Sequence, residues 1–448
     1  MKRAKILSAI LAGVMLLAGC SDNTETPNDD KENSVSNSEN NNNKNDDNLD
    51  NSENKPPMTV EELFKDVELV TPDTASFTYD YDTEANGIKI TGYNGSEPNI
   101  EIPETIEGAE VISVDLSENK VIKNVKLPET VQEIKFYNSS IEVVNTPDGV
   151  TEIGDNAFAW CTSLASVTIP NGVTAIGEDA FSNCTNLKSV NIGNCVNEIG
   201  DGAFEFCESL TSIKISDSVT KLGNYAFYGC TSLESIEIPD SVTRISDRAL
   251  ENCTSLESVT IPDSVTWIGM AAFSGCTNLA SINIPNSVTE ILPLTFSSCT
   301  SLTSIIIPDS VITIQVGAFQ HCTSLTNIII SEGVTGISVN VNNFASDGAF
   351  TGCTSLKSIS IPSSVTEIGF CAFAGCTSLE SVNISLGVTT IGDRAFFNCT
   401  NLTNLNIPAS VTKLDGTNFY DCENIQATYK GKTYDYDHID DLYAAING

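Results

Sequence analysis

The sequence predicts an α/β solenoid, a fold in which one short coil of 23 residues is stacked many times along an axis. Two observations support this. An apolar run rich in β-branched residues precedes an Ile-Pro step in most copies, and one cysteine recurs at a fixed interval. The interval is 23 residues, with one gap of 31 between the eighth and ninth of these cysteines: Cys161, Cys184, Cys207, Cys230, Cys253, Cys276, Cys299, Cys322, Cys353, Cys376, Cys399 and Cys422.

Each coil is expected to contribute one short parallel strand to a common face. In the copy IPDSVTWIGMAAFSGCTNLASINIP, residues 261–285, the run Leu279, Ile282 and Ile284 ends in the period-two alternation of a strand. Pro285 then ends the strand because it has no backbone N–H to donate. Stacked coils would place these strands side by side, about 4.8 Å apart.

The rest of the coil is expected to return the chain through a second, helical face. Gly269 permits a tight bend, and Ala272-Phe273 is predicted to occupy one helical or 3₁₀ turn. About seven apolar side chains per coil then point inward, and their burial is worth on the order of 10 to 20 kcal/mol. Ordering the 23 residues of a coil costs roughly 1 to 2 kcal/mol for each residue. A single coil is therefore unstable, and only a stack of them folds.

The repeated cysteine is interpreted as a small buried apolar residue, because it lies three residues from the motif Phe and three from the motif Leu. A disulfide column is the first alternative, but side chains in register point in parallel, which opposes bridging. A metal column is the second alternative, and it is weaker because the only histidines are His321 and His438.

The amino terminus predicts export. Lys2, Arg3 and Lys5 precede an apolar run too short to span a bilayer, so residues 1–19 are interpreted as a lipoprotein signal peptide. The stretch ending in Cys20 resembles the lipobox of bacterial lipoproteins, which implies a lipid on Cys20 and anchoring in the membrane. An ordinary signal peptide with a cysteine at its boundary is the alternative.

Four further segments follow. Residues 20–55 hold the lipidated cysteine and an acidic, Asn-rich tether expected to be disordered, and residues 56–145 form an amino-terminal cap with irregular repeats. In this cap, Thr59 to Glu62 has capping-box spacing that predicts a helix to about Val67, and Asn86-Gly87 predicts a hairpin. Residues 146–425 are twelve solenoid repeats, and residues 426–448 are a carboxy-terminal cap with a helix over 439–446.

Charge and motifs exclude several classes of function. The net charge of −37 repels phosphate backbones, which argues against nucleic acid. No nucleophile elbow, zinc-protease motif or phosphate-binding glycine loop occurs, so the sequence predicts no enzyme and no cofactor. The cluster from Asp435 to Asp441 lacks the Gly and Glu of a calcium loop, and a helix start is preferred to a metal site there.

The repeated phrase is close to I-P-x-S-V-T-x-I-G-x-x-A-F-x-x-C-T-S-L-x-S-I-x, and it resembles the BspA-type leucine-rich repeats of bacterial surface proteins. The stretch FTYDYDTEANGIKITGYNGSEPNIEIPETIEG, residues 77–108, resembles the amino-terminal cap that often precedes such repeats. The resemblance implies a leucine-rich-repeat fold at the cell surface and adhesion to host matrix or to other cells. Leu250 in place of the motif Phe, and Leu292-Pro293 in place of the Gly bend, depart from the pattern.

Outward positions of the predicted sheet are the candidate binding surface, because alternate strand residues point away from the core. They read as columns of Ser, Thr and Asn, with two isoleucines on adjacent coils. The predicted ligand-binding residues are Ser281, Asn283, Ser304, Ile306, Asn327 and Ile329. An insertion near 338–346 is a second candidate, or a loop without a role.

Two functions remain open at this point. The first is binding of a host, matrix or other-cell protein through the sheet face, and the second is capture of polysaccharide by a glycan-binding surface. The Ser and Asn columns favour the glycan, whereas the lack of aromatic residues in them speaks against it.

Overall fold

The computed structural model describes residues 59–339 and 348–448. Contacts divide the chain into a unit of residues 1–56 and a unit of Pro57–Gly448, and the second unit is the one described below. The predicted signal peptide, Cys20, the tether and most of the insertion near 338–346 lie outside the described residues.

The amino-terminal helix spans Val60–Leu63 and begins with the predicted capping box. Thr59 Oγ1 accepts a hydrogen bond from the Glu62 amide at 3.2 Å, and the Glu62 carboxylate accepts one from the Thr59 amide at 2.9 Å. The predicted end near Val67 was wrong. Phe64 leaves helical geometry (φ −107°, ψ 12°) and is buried, so the chain turns as its ring enters the core.

The predicted hairpin is confirmed. Strands Phe77–Asp82 and Gly87–Tyr93 pair antiparallel, and Asn86 at the turn has φ 57°. A 3₁₀ turn, Thr74–Ser76, precedes them. The hairpin belongs to a five-stranded sheet whose remaining strands are Thr105–Ile106, Ala109–Asp115 and Glu133–Lys135.

Sheet A is the face formed by the predicted strand of each coil. It contains fifteen parallel strands within the described residues, in hydrogen-bonded blocks of three, six, two and four. Its strands are Asn99–Glu101, Asn124–Lys126 and Val143–Val144; Ser166–Thr168, Ser189–Asn191, Ser212–Lys214, Ser235–Glu237, Ser258–Thr260 and Ser281–Ile282; Ser304–Ile307 and Asn327–Ile330; Ser358–Ile361, Ser381–Ile384, Asn404–Ile407 and Gln426–Tyr429. The parallel solenoid of 23-residue coils is thereby confirmed.

Sheet B is a second parallel face, made by the residues that follow the Val of the motif. It comprises two blocks of six short strands: Glu152–Ile153, Ala175–Ile176, Glu198–Ile199, Lys221–Leu222, Arg244–Ile245 and Trp267–Ile268; Glu290–Ile291, Thr313–Gln315, Gly336–Val339, Glu367–Ile368, Thr390–Ile391 and Lys413–Leu414. The inward Ile or Leu of each strand is buried.

The third side of each coil, here called the turn face, is where the helical or 3₁₀ turn was expected, and that prediction was wrong. In the coil of Cys276 the backbone forms successive turns, because Ala271 and Gly275 adopt positive φ (55° and 74°), which no right-handed helix allows. Alternate amides therefore point in different directions. Those of Ala272, Ser274 and Cys276 bond within the coil, whereas those of Ala271, Phe273 and Gly275 donate to the next coil.

The core consists of columns that run from coil to coil. The motif phenylalanines stack with centroids 5.1 to 6.1 Å apart, in one run from Phe136 to Phe227 and another from Phe273 to Phe419. Leu250 occupies the gap between the two runs and is fully buried. The repeated cysteines are also buried, as predicted.

Both sheets are interrupted between the same two coils. The first six-stranded block of sheet A ends at Ser281–Ile282, and the first block of sheet B ends at Trp267–Ile268. Backbone hydrogen bonds continue across this boundary on the turn face, where Phe273 donates to Thr295 at 2.9 Å. The interruption coincides with Leu292-Pro293, the pair that replaces the Gly bend of the other coils.

The carboxy-terminal cap closes the stack. Lys432–Asp435 pairs antiparallel with the last strand of sheet A, and a 3₁₀ turn, Tyr436–His438, leads into the helix Ile439–Asn447. Leu442 and Ile446 of this helix are buried, which confirms the predicted capping helix.

Candidate functional site

The outer face of sheet A presents the predicted columns in register. Ser212, Ser235, Ser258 and Ser281 follow one another through strand pairing, and all four are exposed. The next column of the same sheet includes Lys214 opposite Glu237. Because parallel strands place identical positions side by side, a single repeated residue becomes a continuous row.

The two isoleucines among the predicted ligand-binding residues lie next to each other. Ile306 and Ile329 are paired in register, and 62% and 50% of their surfaces are exposed. Ser304 and Asn327 are paired two positions earlier and are also exposed, so they border the isoleucines. The structure thus brings four of the six predicted residues together.

Ser281 lies in the last strand of the preceding block of sheet A, across the interruption, and Asn283 directly follows that strand. The Asn283 side chain accepts a hydrogen bond from the Ile261 amide at 3.0 Å and donates one to the Ile261 carbonyl at 2.8 Å. Its amide thus satisfies the backbone of the preceding coil, a structural role that the sequence analysis missed. Asn145 binds Leu127 and Asn447 binds Leu414 in the same way.

The turn face carries a group of aromatic residues that the sequence analysis also missed. Phe206 and Tyr228 meet edge to face with centroids 5.1 Å apart, and Tyr225 and Tyr228 meet at 5.8 Å. We call Phe206, Tyr225 and Tyr228 the aromatic patch. Aligned copies of the repeat would have revealed it, because the other copies mostly carry small or polar residues at these positions.

Charged side chains border the aromatic patch. Arg248 lies over the Tyr225 ring, 5.7 Å from its centroid, and pairs with Glu251 at 3.3 Å. Partial burial and the nearby Asp179 raise the pKa of the Glu205 carboxyl. Partial burial also raises the pKa of Asp179, with repulsion from Glu178 and other carboxylates adding to it. Among residues 59–339 and 348–448, no Lys or Arg forms an ion pair with Asp179 or Glu205.

The buried thiols form a column that is inert to solvent. Each motif cysteine from Cys184 onward donates a hydrogen bond to a backbone carbonyl 26 residues earlier, or 34 across the insertion, as Cys230 does to Phe204 at 3.2 Å. Burial raises the pKa of Cys230 to about 12, so the thiol stays protonated at neutral pH. Over residues 59–339 and 348–448, no group of three or more His, Cys, Asp and Glu side chains could hold a metal ion.

Comparison with known proteins places these features in a family. The family profile described as "BspA type Leucine rich repeat region (6 copies)" matches residues 129–257, 243–346 and 343–434. The chain belongs to this BspA-type family.

Two solved structures are similar to this BspA-type chain. A leucine-rich repeat protein from Bacteroides ovatus is 29% identical, with 79% of this chain and 98% of that chain covered and a TM-score of 0.62. A leucine rich cell surface protein from Faecalibacterium prausnitzii is 32% identical, with 78% and 96% covered and a TM-score of 0.48. No curated protein matches the chain in sequence.

The BspA-type chain also has a shallow depression of about 590 Å³ near its carboxy-terminal end. The residues that line it include Leu386, Ala409 and Lys430, and Leu386 is 76% exposed.

Within the part of the chain that the structure describes, no helix is long and apolar enough to cross a membrane.

Proposed function

We propose that this BspA-type protein is held at the bacterial cell surface and binds a protein of the host, the matrix or another cell through sheet A. It is a binding protein and not an enzyme in this proposal. The leucine-rich repeat family and the cell surface protein of Faecalibacterium prausnitzii support the location. The predicted lipid on Cys20 would provide the anchor, and residues 20–55 the spacer.

The observation that carries the proposal is the pairing of Ile306 with Ile329. Two large aliphatic side chains exposed side by side on a sheet of otherwise polar columns are costly in water, and burying them against a partner recovers that free energy. Ser304 and Asn327 supply hydrogen-bonding groups beside them. An apolar centre with polar neighbours is the arrangement found at protein-binding hot spots.

The experiment uses the full-length chain against an array of matrix proteins, mucins and glycans. An Ile306→Ser/Ile329→Ser double variant should lose roughly tenfold or more in affinity for the protein captured by the wild type. Ile312→Ser is the matched control. Ile312 is also 50% exposed, but it directly precedes the sheet B strand Thr313–Gln315 and does not lie on sheet A.

Equal affinities of the double variant and the wild type would contradict the proposed site. Capture of glycans alone would replace the proposed function with the polysaccharide alternative. A Ser304→Ala/Asn327→Ala variant distinguishes the two, since hydroxyl and amide groups should matter more to a glycan than to an aliphatic contact.

A further inference from the structure

The aromatic patch is a second exposed surface, separate from sheet A. It lies on the turn face in the coils of Cys207 and Cys230, where aromatic side chains replace the small residues of the repeat. Tyr225 is 39% exposed, and Phe206 and Tyr228 are half-buried. The fold does not need these rings for its core, because the motif Phe204 and Phe227 fill the core column behind them.

The structure shows how a cation binds on this surface. The Arg248 guanidinium lies 5.7 Å from the centroid of Tyr225, and Glu251 neutralises it from the side at 3.3 Å. A cation over an aromatic face, with a carboxylate beside it, is a recurring arrangement in which the ring quadrupole and the carboxylate act together. At Tyr225 the protein's own Arg248 and Glu251 form this arrangement.

The part of the patch at Phe206 and Tyr228 also has carboxylates nearby in the fold, those of Glu205 and Asp179, but no cation among the described residues is paired with them. Glu205 directly precedes Phe206 in the chain and lies one coil before Tyr228 in the same column. The Asp179 carboxylate occupies the space of the missing Gly202 side chain, since a β-carbon there would clash with Asp179 Oδ1. Glu205 Oε2 lies next to the same space, 3.5 Å from the position of that β-carbon. No Lys or Arg of residues 59–339 or 348–448 forms an ion pair with either carboxylate.

We propose that the aromatic patch, with Glu205 and Asp179, binds an arginine or lysine side chain from a basic segment of a partner protein. The bound cation lies against Phe206 and Tyr228 and balances the two carboxylates, as Arg248 does with Tyr225 and Glu251. The net charge of −37 draws basic segments toward the molecule, and the aromatic patch gives them a specific place to bind. This site is independent of the proposed binding through sheet A.

The test measures binding of a fluorescent hexa-arginine peptide to the full-length chain near physiological salt, where diffuse attraction is screened. Glu205→Gln and Phe206→Leu should each weaken binding about fivefold. Glu208→Gln is the matched control, because it removes the same charge from an exposed position of the same coil, three residues away. Its affinity should remain within about twofold of the wild type.

A gain in affinity separates the proposal from a simple loss of structure. Arg248→Ala frees the Tyr225 ring and leaves Glu251 without its partner, so the peptide should bind about fivefold more tightly. Equal losses in Glu205→Gln and Glu208→Gln would mean diffuse attraction by net charge and would overturn the site. If Phe206→Leu kept its affinity for the peptide but lost binding of a neutral oligosaccharide that the wild type binds, the cation site would be wrong and the patch would be a sugar-binding site.

Discussion

The thiol of Cys230 donates a hydrogen bond to the carbonyl oxygen of Phe204, 3.2 Å away in the preceding coil. The same contact recurs along the stack, for example from Cys276 to Leu250 at 3.2 Å and from Cys399 to Phe373 at 3.2 Å. A repeated cysteine thus joins each coil to its predecessor through a noncovalent bond in the core. It fills a small volume and gives the Phe204 carbonyl a second hydrogen bond, beside the one that this oxygen accepts from the Cys207 amide at 3.2 Å.

The buried thiols should make the fold sensitive to alkali. Burial raises the pKa of Cys230 and Cys276 from 9.0 to about 12. A raised folded-state pKa gives stability that is complete below the unfolded value of 9.0 and is lost as the pH rises toward 12. Each pH unit in that window costs about 1.4 kcal/mol for each buried thiol. Urea midpoints should therefore fall steeply between about pH 9 and pH 10.

A variant checks that the thiols cause this loss. Cys230→Ser/Cys253→Ser removes two ionisable groups and keeps a donor for the carbonyls, so its midpoint should fall less steeply over the same range. Identical pH profiles for the variant and the wild type would assign the alkaline loss to other groups.

Phe273→Ala should lower the free energy of unfolding by about 3 to 5 kcal/mol, because it empties a fully buried position in the aromatic column next to Phe296. Trp267→Ala should cost about 1 kcal/mol or less. Its ring is half-buried on sheet B, where Arg244 lies 4.9 Å from its centroid. Urea melts of both variants measure the difference, and the reverse order would show that the inward and outward positions are misassigned.

Leu250→Phe should raise the urea midpoint. Leu250 interrupts the column between Phe227 and Phe273, and a ring there would join the two runs of stacked phenylalanines. Restoring the residue of the other copies should add about 0.5 to 1 kcal/mol. A lower midpoint would indicate that the coils around Leu250 have closed on the smaller side chain and cannot reopen.

Asn283→Ala should destabilise the contact between the coil of Asn283 and the coil before it. The change removes the hydrogen-bond partner of both the amide and the carbonyl of Ile261, a residue whose side chain is buried. The free energy of unfolding should fall by about 1 to 3 kcal/mol. Amide hydrogen exchange should accelerate first in residues near Ile261. Asn191→Ala on the same sheet is the control, with an expected change within about 0.5 kcal/mol, and equal effects of the two changes would remove the structural role of Asn283.

The sequence was sufficient for the features that follow from the residue pattern within one coil. The 23-residue period, the inward Val, Ile, Leu, Phe and Cys positions, and the exposure of Ile306 and Ile329 could all be predicted, because a side chain's direction in a short strand follows from its place in the alternation. The capping box at Thr59 and the hairpin at Asn86 were also predictable, because each depends on a few residues that are neighbours in the chain.

Only the tertiary structure decided features that depend on the coil above or below. The turn face is not helical because the amides of Ala271 and Phe273 donate to the next coil, and no local propensity encodes that choice. The bond from Cys230 to Phe204, the pairing of Asn283 with Ile261 and the meeting of Phe206 with Tyr228 each join residues 22 to 26 positions apart. Stacking determines these contacts, because it sets which residues of successive coils lie side by side.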